Sequence, residues 1–150
     1  MRLALDAARM NITEANGGPF GACIVRHGEV VSVASNLVLT SDATAHAEIN
    51  AIREASRVLK NHILSDCVIY STTEPCPMCF SAIHWAQIPT IIFGTRIEDA
   101  AELGFNELFI SNYQVKTLGK SSVEIIAGFQ SDSCLSLMKE WSISNAHKVY

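Results

Sequence analysis

The sequence predicts an α/β fold, a three-layer α/β/α sandwich around a mixed, mostly five-stranded sheet. Two short apolar runs rich in β-branched residues, CVIYST at 67–72 and PTIIFG at 89–94, flank a helical stretch at 76–87. A strand, a helix and a strand in this order predict a right-handed crossover between parallel strands. A hairpin earlier in the chain adds antiparallel pairing. The 150 residues, 49% of them hydrophobic, suffice for one domain with a packed core.

The N-terminal part of the chain predicts a helix followed by the hairpin. Residues 2–14 form the helix, which ends at the sequence NGGP because two glycines and a proline cannot continue it. The apolar runs FGACIVR at 20–26 and EVVSVASNLV at 29–38 flank His27-Gly28. A two-residue loop of this kind is typical of a β-hairpin.

The remaining elements follow in chain order. TAHAEINAIREASRVL at 44–59 has the helical period. The strands at 67–72 and 89–94 are apolar on both faces, which indicates a sheet covered on both sides. A strand around 123–127 and a helix around 132–146 complete the sandwich. The chain contains no internal repeat and no linker, so residues 1–150 are interpreted as a single domain.

Composition and charge exclude several classes of protein. The net charge is −4 and lysine and arginine do not cluster, so a nucleic acid is not an expected partner. The longest apolar runs are too short to cross a membrane, and the N-terminus lacks the apolar block of a signal peptide. Five cysteines are an odd number in a chain that needs no disulfides, which favours the reducing cytoplasm.

The stretch TTEPCPMC at 72–79 places two cysteines three residues apart. Pro75 and Pro77 bracket Cys76, and proline is tolerated in the first turn of a helix because its missing N–H would be unpaired there. Cys76 and Cys79 are therefore predicted to share one face at a helix N-terminus. The helix dipole there favours the thiolate, which is the form that binds metals. The spacing alone is compatible with a metal site and with a redox pair.

The stretch HAE at 46–48 starts another predicted helix. Glu48 shares a helical stripe with apolar residues that should face the sheet, namely Ile52, Ala55 and Leu59. An ionised carboxylate on a core face is unfavourable unless it has a partner or a chemical role. A capping box that begins at Thr44 does not explain it, because the glutamate would have to stand at position 47, which is alanine.

Together, His46, Cys76 and Cys79 predict a three-ligand zinc site with a fourth position open to water. The spacing lets both helices begin at the same edge of the sheet, where α/β proteins build their sites. H-x-E followed by P-C-x-x-C is the signature of the zinc-dependent nucleobase deaminases. We therefore expect one Zn²⁺ per subunit. The zinc activates a water molecule as hydroxide, and Glu48 shuttles its proton to the ring and then to the leaving amine.

Five stretches carry a wider resemblance: GGPFGA (17–22), TAHAEINAIR (44–53), TTEPCPMCFSAIHWA (72–86), DAAELGF (99–105) and NAHKVY (145–150). With them nearly the whole chain resembles the cytidine-deaminase-like superfamily, and within it the bacterial-type guanine deaminases. The first three stretches are shared loosely with the tRNA adenosine deaminases, whereas DAAELGFNE and the aromatic C-terminus are typical of guanine deaminases. The chain departs from these families at Ala43, where they often have proline. The resemblance implies conversion of guanine to xanthine and ammonia.

The resemblance also implies further site residues. Phe20 and Trp85 would flank the purine, and Asn36 with the backbone near Ala47 would bind its edge. Glu107 resembles a second carboxylate that assists proton transfer to the leaving amine. From the residues alone, each of these side chains also has a purely structural interpretation. An aromatic such as Phe20 is as common in a core as in a site, and Glu107 could be a solvated carboxylate.

The C-terminus carries an expectation about assembly. In the guanine deaminases that this chain resembles, the C-terminal segment crosses to the partner subunit and its last aromatic residue helps to close the active site. The resemblance therefore implies a homodimer in which a segment of residues 130–150 is exchanged and Tyr150 covers the neighbour's pocket. The alternative from the sequence alone is a frayed terminus.

Three functions remain compatible with the sequence. The first is guanine deamination, or deamination of a related ring such as guanosine or an aminotriazine. The second is adenosine-to-inosine editing of tRNA, which uses the same metal chemistry but needs a surface for a polyanion. The third is a non-catalytic zinc module, which would need a fourth protein ligand that the two motifs do not supply.

Overall fold

The computed structural model describes residues 1–146 and 148–150; His147, part of the C-terminal NAHKVY motif, lies outside the described residues. The strands are β1 (Gly21–Arg26), β2 (Glu29–Ser35), β3 (Cys67–Thr73), β4 (Thr90–Thr95) and β5 (Glu124–Ile126). The helices are α1 (Arg2–Glu14), α2 (Ala47–Leu59), α3 (Pro77–Trp85), α4 (Ile97–Glu102), α5 (Asn112–Leu118) and α6 (Ser131–Ser142).

The five strands form one mixed sheet in the order β2-β1-β3-β4-β5. Strand β1 is antiparallel to both of its neighbours, whereas β3, β4 and β5 are mutually parallel. The predicted hairpin is confirmed, since Arg26 pairs with Glu29 across the loop. Both loop residues have positive φ, 51° at His27 and 84° at Gly28, as the favoured two-residue hairpin turn requires. Because β1 is antiparallel to both β2 and β3, these two strands run in the same direction and end at the same edge of the sheet.

Helices cover both faces of the sheet, so the predicted α/β/α sandwich is confirmed. On one face the small residues of α2 and the side chains of Phe80 and Ile83 in α3 pack against the strands. On the other face α1 and α6 pack against each other and against the sheet, through a cluster that includes Leu5 and Leu137. Burial of apolar surface on two sides is the main force that holds such a sandwich together.

Glycines allow α1 and α6 to approach the sheet closely. A Cβ added at Gly21 in β1 would collide with the carbonyl oxygen of Ala4, and one added at Gly94 in β4 would collide with Cys134 Sγ. Cys134 is buried, and this burial raises the pKa of its thiol to about 11. A neutral thiol of this kind behaves as a small apolar side chain.

Two short helices, α4 and α5, are additions to the predicted elements. Helix α5 begins with a capping box formed by Ser111 and Gln114, whereas at α4 only the Asp99 carboxylate takes part, accepting from the Arg96 N–H at 2.7 Å. In a capping box the side chains satisfy backbone N–H groups that have no partner within the helix. The C-terminal helix ends at Ser142, four residues before the predicted end. Within the described residues no helix has both the length and the apolar character to cross a membrane.

Candidate active site

The three predicted metal ligands lie at the N-termini of two neighbouring helices. His46 is the N-cap residue of α2 and Cys76 is the N-cap residue of α3, each with extended backbone angles. Pro77 occupies the first turn of α3, as predicted, and Cys79 follows on the same face. Because β2 and β3 end at the same edge of the sheet, the two helix starts meet there.

The ligand atoms of His46, Cys76 and Cys79 all lie within 4.8 Å of one another. The Nδ1 atom of His46 is 3.7 Å from the Cys76 sulfur. Cys79 is fully buried, whereas His46 and Cys76 are half-buried and open towards a cavity. One imidazole and two thiolates at this spacing fit the tetrahedral preference of Zn²⁺ and leave one position for a non-protein ligand. These residues therefore suit a zinc ion.

The electrostatics of the cluster favour a metal-binding state. A hydrogen bond from Cys79 lowers the pKa of Cys76 to about 4, with a further contribution from His46. The pKa of Cys79 is raised, because this neutral thiol donates to the Cys76 thiolate and is buried. Burial opposes protonation of His46, but its hydrogen bond to Cys76 and the nearby Glu48 carboxylate outweigh this effect and raise its pKa. Cys76 is therefore a thiolate at neutral pH even in the metal-free protein.

Glu48 is buried at the floor of the site, with 6% of its surface exposed. Its Oε1 atom accepts a hydrogen bond from Ser71 Oγ at 3.1 Å, and its Oε2 atom lies 3.5 Å from the Cys79 sulfur. Burial raises the pKa of Glu48. A carboxyl group that holds a proton more tightly than usual, beside a metal site, is suited to take up and release protons.

A cavity of about 290 Å³ opens above this cluster. Its walls contain both predicted carboxylates, Glu48 and Glu107, together with three aromatic residues, Phe20, Phe105 and Tyr150. The volume lies at the small end of the range for small-molecule sites. A single aromatic ring system fits such a space.

The three aromatic residues form a continuous wall. The Phe105 ring lies 4.9 Å from the Phe20 ring and 5.3 Å from the Tyr150 ring, in edge-to-face arrangements. The Tyr150 hydroxyl donates to Asn36 Oδ1 at 2.7 Å and accepts from the Gly18 N–H at 3.2 Å. Burial of this hydroxyl raises the pKa of Tyr150 to about 12. The last residue of the chain is thus packed against the cavity of its own subunit in this structure.

Glu107 lies in the cavity wall and is half-buried. Burial raises its pKa to about 7, and the negative charge of Cys76 adds to this effect while His46 opposes it. Both protonation states of Glu107 are therefore accessible near neutral pH. A second proton carrier in the cavity needs this property.

Replacement of Glu107 by glutamine should stabilise the metal-free protein relative to the wild type, and this difference in stability should grow as the pH rises. Below pH 4.5, the ordinary value for glutamate, both the folded and the unfolded carboxyl are protonated. Between 4.5 and about 7 the unfolded group ionises first, so the stability that the protonated group contributes is lost with rising pH. Glutamine does not titrate. We expect the Tm of Glu107→Gln minus that of the wild type to grow from about pH 5 to about pH 8 in scanning calorimetry. The exposed Glu29→Gln is the matched control, and a difference for Glu107→Gln that stays constant with pH would contradict the raised pKa.

Most of the predicted site residues meet in this cavity. Asn36 and Ala47 do not belong to the cavity wall: Asn36 is buried and accepts a hydrogen bond from Tyr150, and Ala47 is fully buried at the start of α2. Contrary to expectation, the structure does not bring Trp85 to the cavity: this residue is 80% exposed and does not belong to the cavity wall. Trp85 lies six residues beyond Cys79, about 9 Å further along the axis of α3, and the 3.6-residue turn places it on another face.

The structure also adds residues that the sequence analysis did not single out. Glu74, Met78 and Phe105 line the cavity, and Asn112 is completely buried beneath it. Phe105 lies within the DAAELGFNE stretch, so its aromatic side chain could have been recognised in the sequence as a candidate wall residue. Glu74 stands directly before the cysteine motif, where an acidic residue among prolines and threonines was the available signal.

Comparisons with known proteins agree with this geometry. Residues 1–95 match the profile of the cytidine and deoxycytidylate deaminase zinc-binding region. The chain is 44% identical to a guanine deaminase of Bacillus subtilis over 111 residues, which are 73% of this chain and 71% of that protein. It is 33% identical to a tRNA-specific adenosine deaminase of Buchnera aphidicola over 144 residues, 94% of this chain and 90% of that protein. The structure of a guanine deaminase from Nitrosomonas europaea is similar with a TM-score of 0.81 at 28% identity, covering 93% of this chain and 80% of the other.

Proposed function

The chain belongs to the cytidine and deoxycytidylate deaminase family of zinc-binding enzymes, and we propose that within this family it hydrolyses guanine to xanthine and ammonia. The observation that carries the proposal is the small aromatic cavity above the metal cluster, which Tyr150 covers. A free base fits this space, whereas a base within a polynucleotide would also need a channel for the rest of the strand. The 44% identity to a guanine deaminase points to the same substrate.

The residues of this chain perform defined steps in the proposed reaction. A zinc ion held by His46, Cys76 and Cys79 would supply Lewis-acid chemistry that lowers the pKa of water at its open position towards 7. As the water oxygen bonds to C2 of guanine, the Glu48 carboxylate accepts the proton of the water and passes it to ring atom N3. The C2=N3 double bond is thereby converted into a single bond.

Collapse of this adduct releases ammonia. A second proton, which the C2 hydroxyl group gives up, must reach the exocyclic amine before its bond to C2 breaks, and the C2 oxygen then becomes the carbonyl of xanthine. Glu48 and Glu107 both line the cavity, and the raised pKa of Glu107, about 7, lets it carry this second proton at neutral pH. Phe20 and Phe105 line the cavity and would hold the flat ring in place. Asn36, whose Oδ1 accepts from the Tyr150 hydroxyl, and the backbone near Ala47 would bind the edge of the purine.

Editing of adenosine in tRNA is the second candidate function. Its support is the 33% identity to a tRNA-specific adenosine deaminase over 94% of the chain. Two features oppose it. The net charge of −4 provides little attraction for a polyanion, and Tyr150 forms part of the cavity wall, which reduces the space for an extended nucleotide strand.

A panel of small substrates tests the proposal. The zinc-loaded protein is offered guanine, guanosine, adenine, cytosine, cytidine and an aminotriazine separately, and ammonia is measured with a coupled assay. We expect ammonia from guanine in an amount equal to the xanthine formed, with the lowest kcat/KM values for the two pyrimidine substrates. If guanosine or the aminotriazine is turned over faster than guanine, that compound and not guanine is the preferred substrate.

We also propose that the enzyme is a cytoplasmic homodimer of purine catabolism in which the C-terminal segment, residues 130–150, is exchanged. All five cysteines are free, in keeping with a reducing compartment. The contacts that Tyr150 makes to Asn36 and Gly18 within one chain are the contacts that a partner's C-terminal residue would make after exchange. In either arrangement the tail excludes water from the cavity and strengthens the electrostatic interactions inside it.

Deletion of residues 146–150 should leave a folded, zinc-loaded protein with sharply lower guanine turnover, because the cavity loses its aromatic cover. We expect kcat/KM to fall by roughly 10²-fold, the size of a positioning defect. Tyr150→Phe is the matched variant, since it keeps the ring and removes the two hydrogen bonds, and its loss should be smaller. A truncated enzyme with wild-type kcat/KM would show that the tail has no part in the site.

A further inference from the structure

Glu74 is a buried carboxylate that the reaction scheme does not use. It lies between the last residue of β3 and the turn that carries Cys76, and only 4% of its surface is exposed. Burial raises its pKa, while the N–H group of Asn112 opposes this effect. Such a group is expensive to bury and persists in a fold only where it makes compensating hydrogen bonds.

Asn112, the first residue of α5, is the partner of Glu74 and has no exposed surface. Its backbone N–H donates to Glu74 Oε1 at 2.7 Å. Its side-chain Nδ2 donates to the carbonyl oxygen of Pro75 at 2.5 Å. One residue thus contacts two consecutive residues immediately before the metal ligand Cys76, across 38 positions of sequence for Glu74 and 37 for Pro75.

This pair of contacts anchors one end of the segment 105–111, which carries Glu107. The other end is anchored by Phe105, whose ring packs against those of Phe20, Trp141 and Tyr150. Between the anchors, the side chains of Leu108 and Phe109 are mostly exposed and supply little packing. The position of the Glu107 carboxylate relative to the metal ligands therefore depends on the two anchors.

We propose that Glu74 and Asn112 are positioning residues that fix the 105–111 segment, and with it the Glu107 carboxylate, against the metal-binding turn. The inference rests on the proposed function, because the position of Glu107 matters only if Glu107 carries the second proton of the reaction. Glu74 contributes to the cavity wall but carries no proton in the reaction scheme, Asn112 lies outside the wall, and neither belongs to the metal-binding cluster. They act through Pro75 on one side and through α5 on the other.

Hydrogen exchange of the zinc-loaded protein tests the anchor without reference to any substrate. We expect the amides of 105–111 to exchange roughly tenfold faster in Asn112→Ala and in Glu74→Ala than in the wild type, because the first variant loses the side-chain bond to Pro75 and the second loses the acceptor of the Asn112 N–H. Glu74→Gln keeps an acceptor oxygen and should exchange like the wild type, as should the exposed control Glu98→Ala. Exchange in α1 (Arg2–Glu14) should be unchanged in all four variants.

A double-mutant cycle then separates positioning of Glu107 from general destabilisation. On whichever base the wild type turns over best, Asn112→Ala should lower kcat by roughly 10²-fold with KM nearly constant. In the Glu107→Gln background the same change should have an effect of less than about threefold, since its effect acts through the missing carboxylate.

The outcomes are distinct. Wild-type exchange of 105–111 in Asn112→Ala, or equal acceleration in α1, would overturn the anchor. An equal loss of kcat in both backgrounds would overturn the action through Glu107. If guanine is not a substrate but the exchange pattern and the cycle on another base are as expected, the positioning role stands and only the choice of guanine fails.

Discussion

Glu48→Gln is expected to yield a folded, zinc-loaded protein whose guanine turnover is lower by at least about 10²–10⁴-fold, the range that general acid–base catalysis contributes. The amide fills the same volume and can still accept the hydrogen bond from Ser71, so the fold should persist. It cannot take a proton from water or deliver one to the purine ring. The measurement is kcat by ammonia release, together with zinc content by elemental analysis of the same samples.

Glu54→Gln is the matched control for this variant. It makes the same chemical change on the same helix, but Glu54 pairs with Arg57 on the protein surface. Its kcat should equal that of the wild type. A zinc-loaded Glu48→Gln protein with full activity would show that the proton carrier is another residue.

Cys76→Ala is expected to reduce the zinc content from about one ion per subunit to a small fraction of that value, and guanine turnover with it. Cys76 supplies the thiolate with the lowest pKa in the cluster, about 4, and lies within 3.7 Å of His46. Two remaining ligands hold zinc much less tightly than three. Elemental analysis after dialysis against a mild chelator measures the loss.

Cys23→Ala serves as the control, because Cys23 is also a free cysteine but is buried in β1 and is not part of the metal-binding cluster. This variant should keep its zinc. Full zinc retention in Cys76→Ala would remove Cys76 from the ligand set and require another donor. A folded Cys76→Ala protein without zinc that still releases ammonia from guanine would contradict a metal-dependent reaction.

The metal site was predictable from the sequence because its signals are local. A proline next to a cysteine sets a helix start, the three-residue spacing puts Cys76 and Cys79 on one face, and a histidine before a second helix completes the set. The edge of the sheet where these starts meet follows from the order of strands and helices. Glu48 was identifiable for the same reason, as an acidic residue on a stripe that faces the core.

The cavity wall was not predictable in the same way, because it depends on contacts between distant parts of the chain. Asn112 meets Glu74 only after α5 has packed beneath the metal-binding turn, and no local pattern encodes this meeting. Trp85 illustrates the opposite problem. It shares a helix with Cys79, but the rise and rotation of α3 over six residues carry it away from the site.

Direct comparison of free guanine with a tRNA anticodon stem-loop as substrates distinguishes guanine deamination from tRNA editing. The zinc-loaded protein is incubated with each substrate under the same conditions, and xanthine and inosine are quantified by chromatography against ammonia release. We expect stoichiometric xanthine and ammonia from guanine and no inosine in the RNA. Inosine in the stem-loop without turnover of free guanine would contradict this expectation.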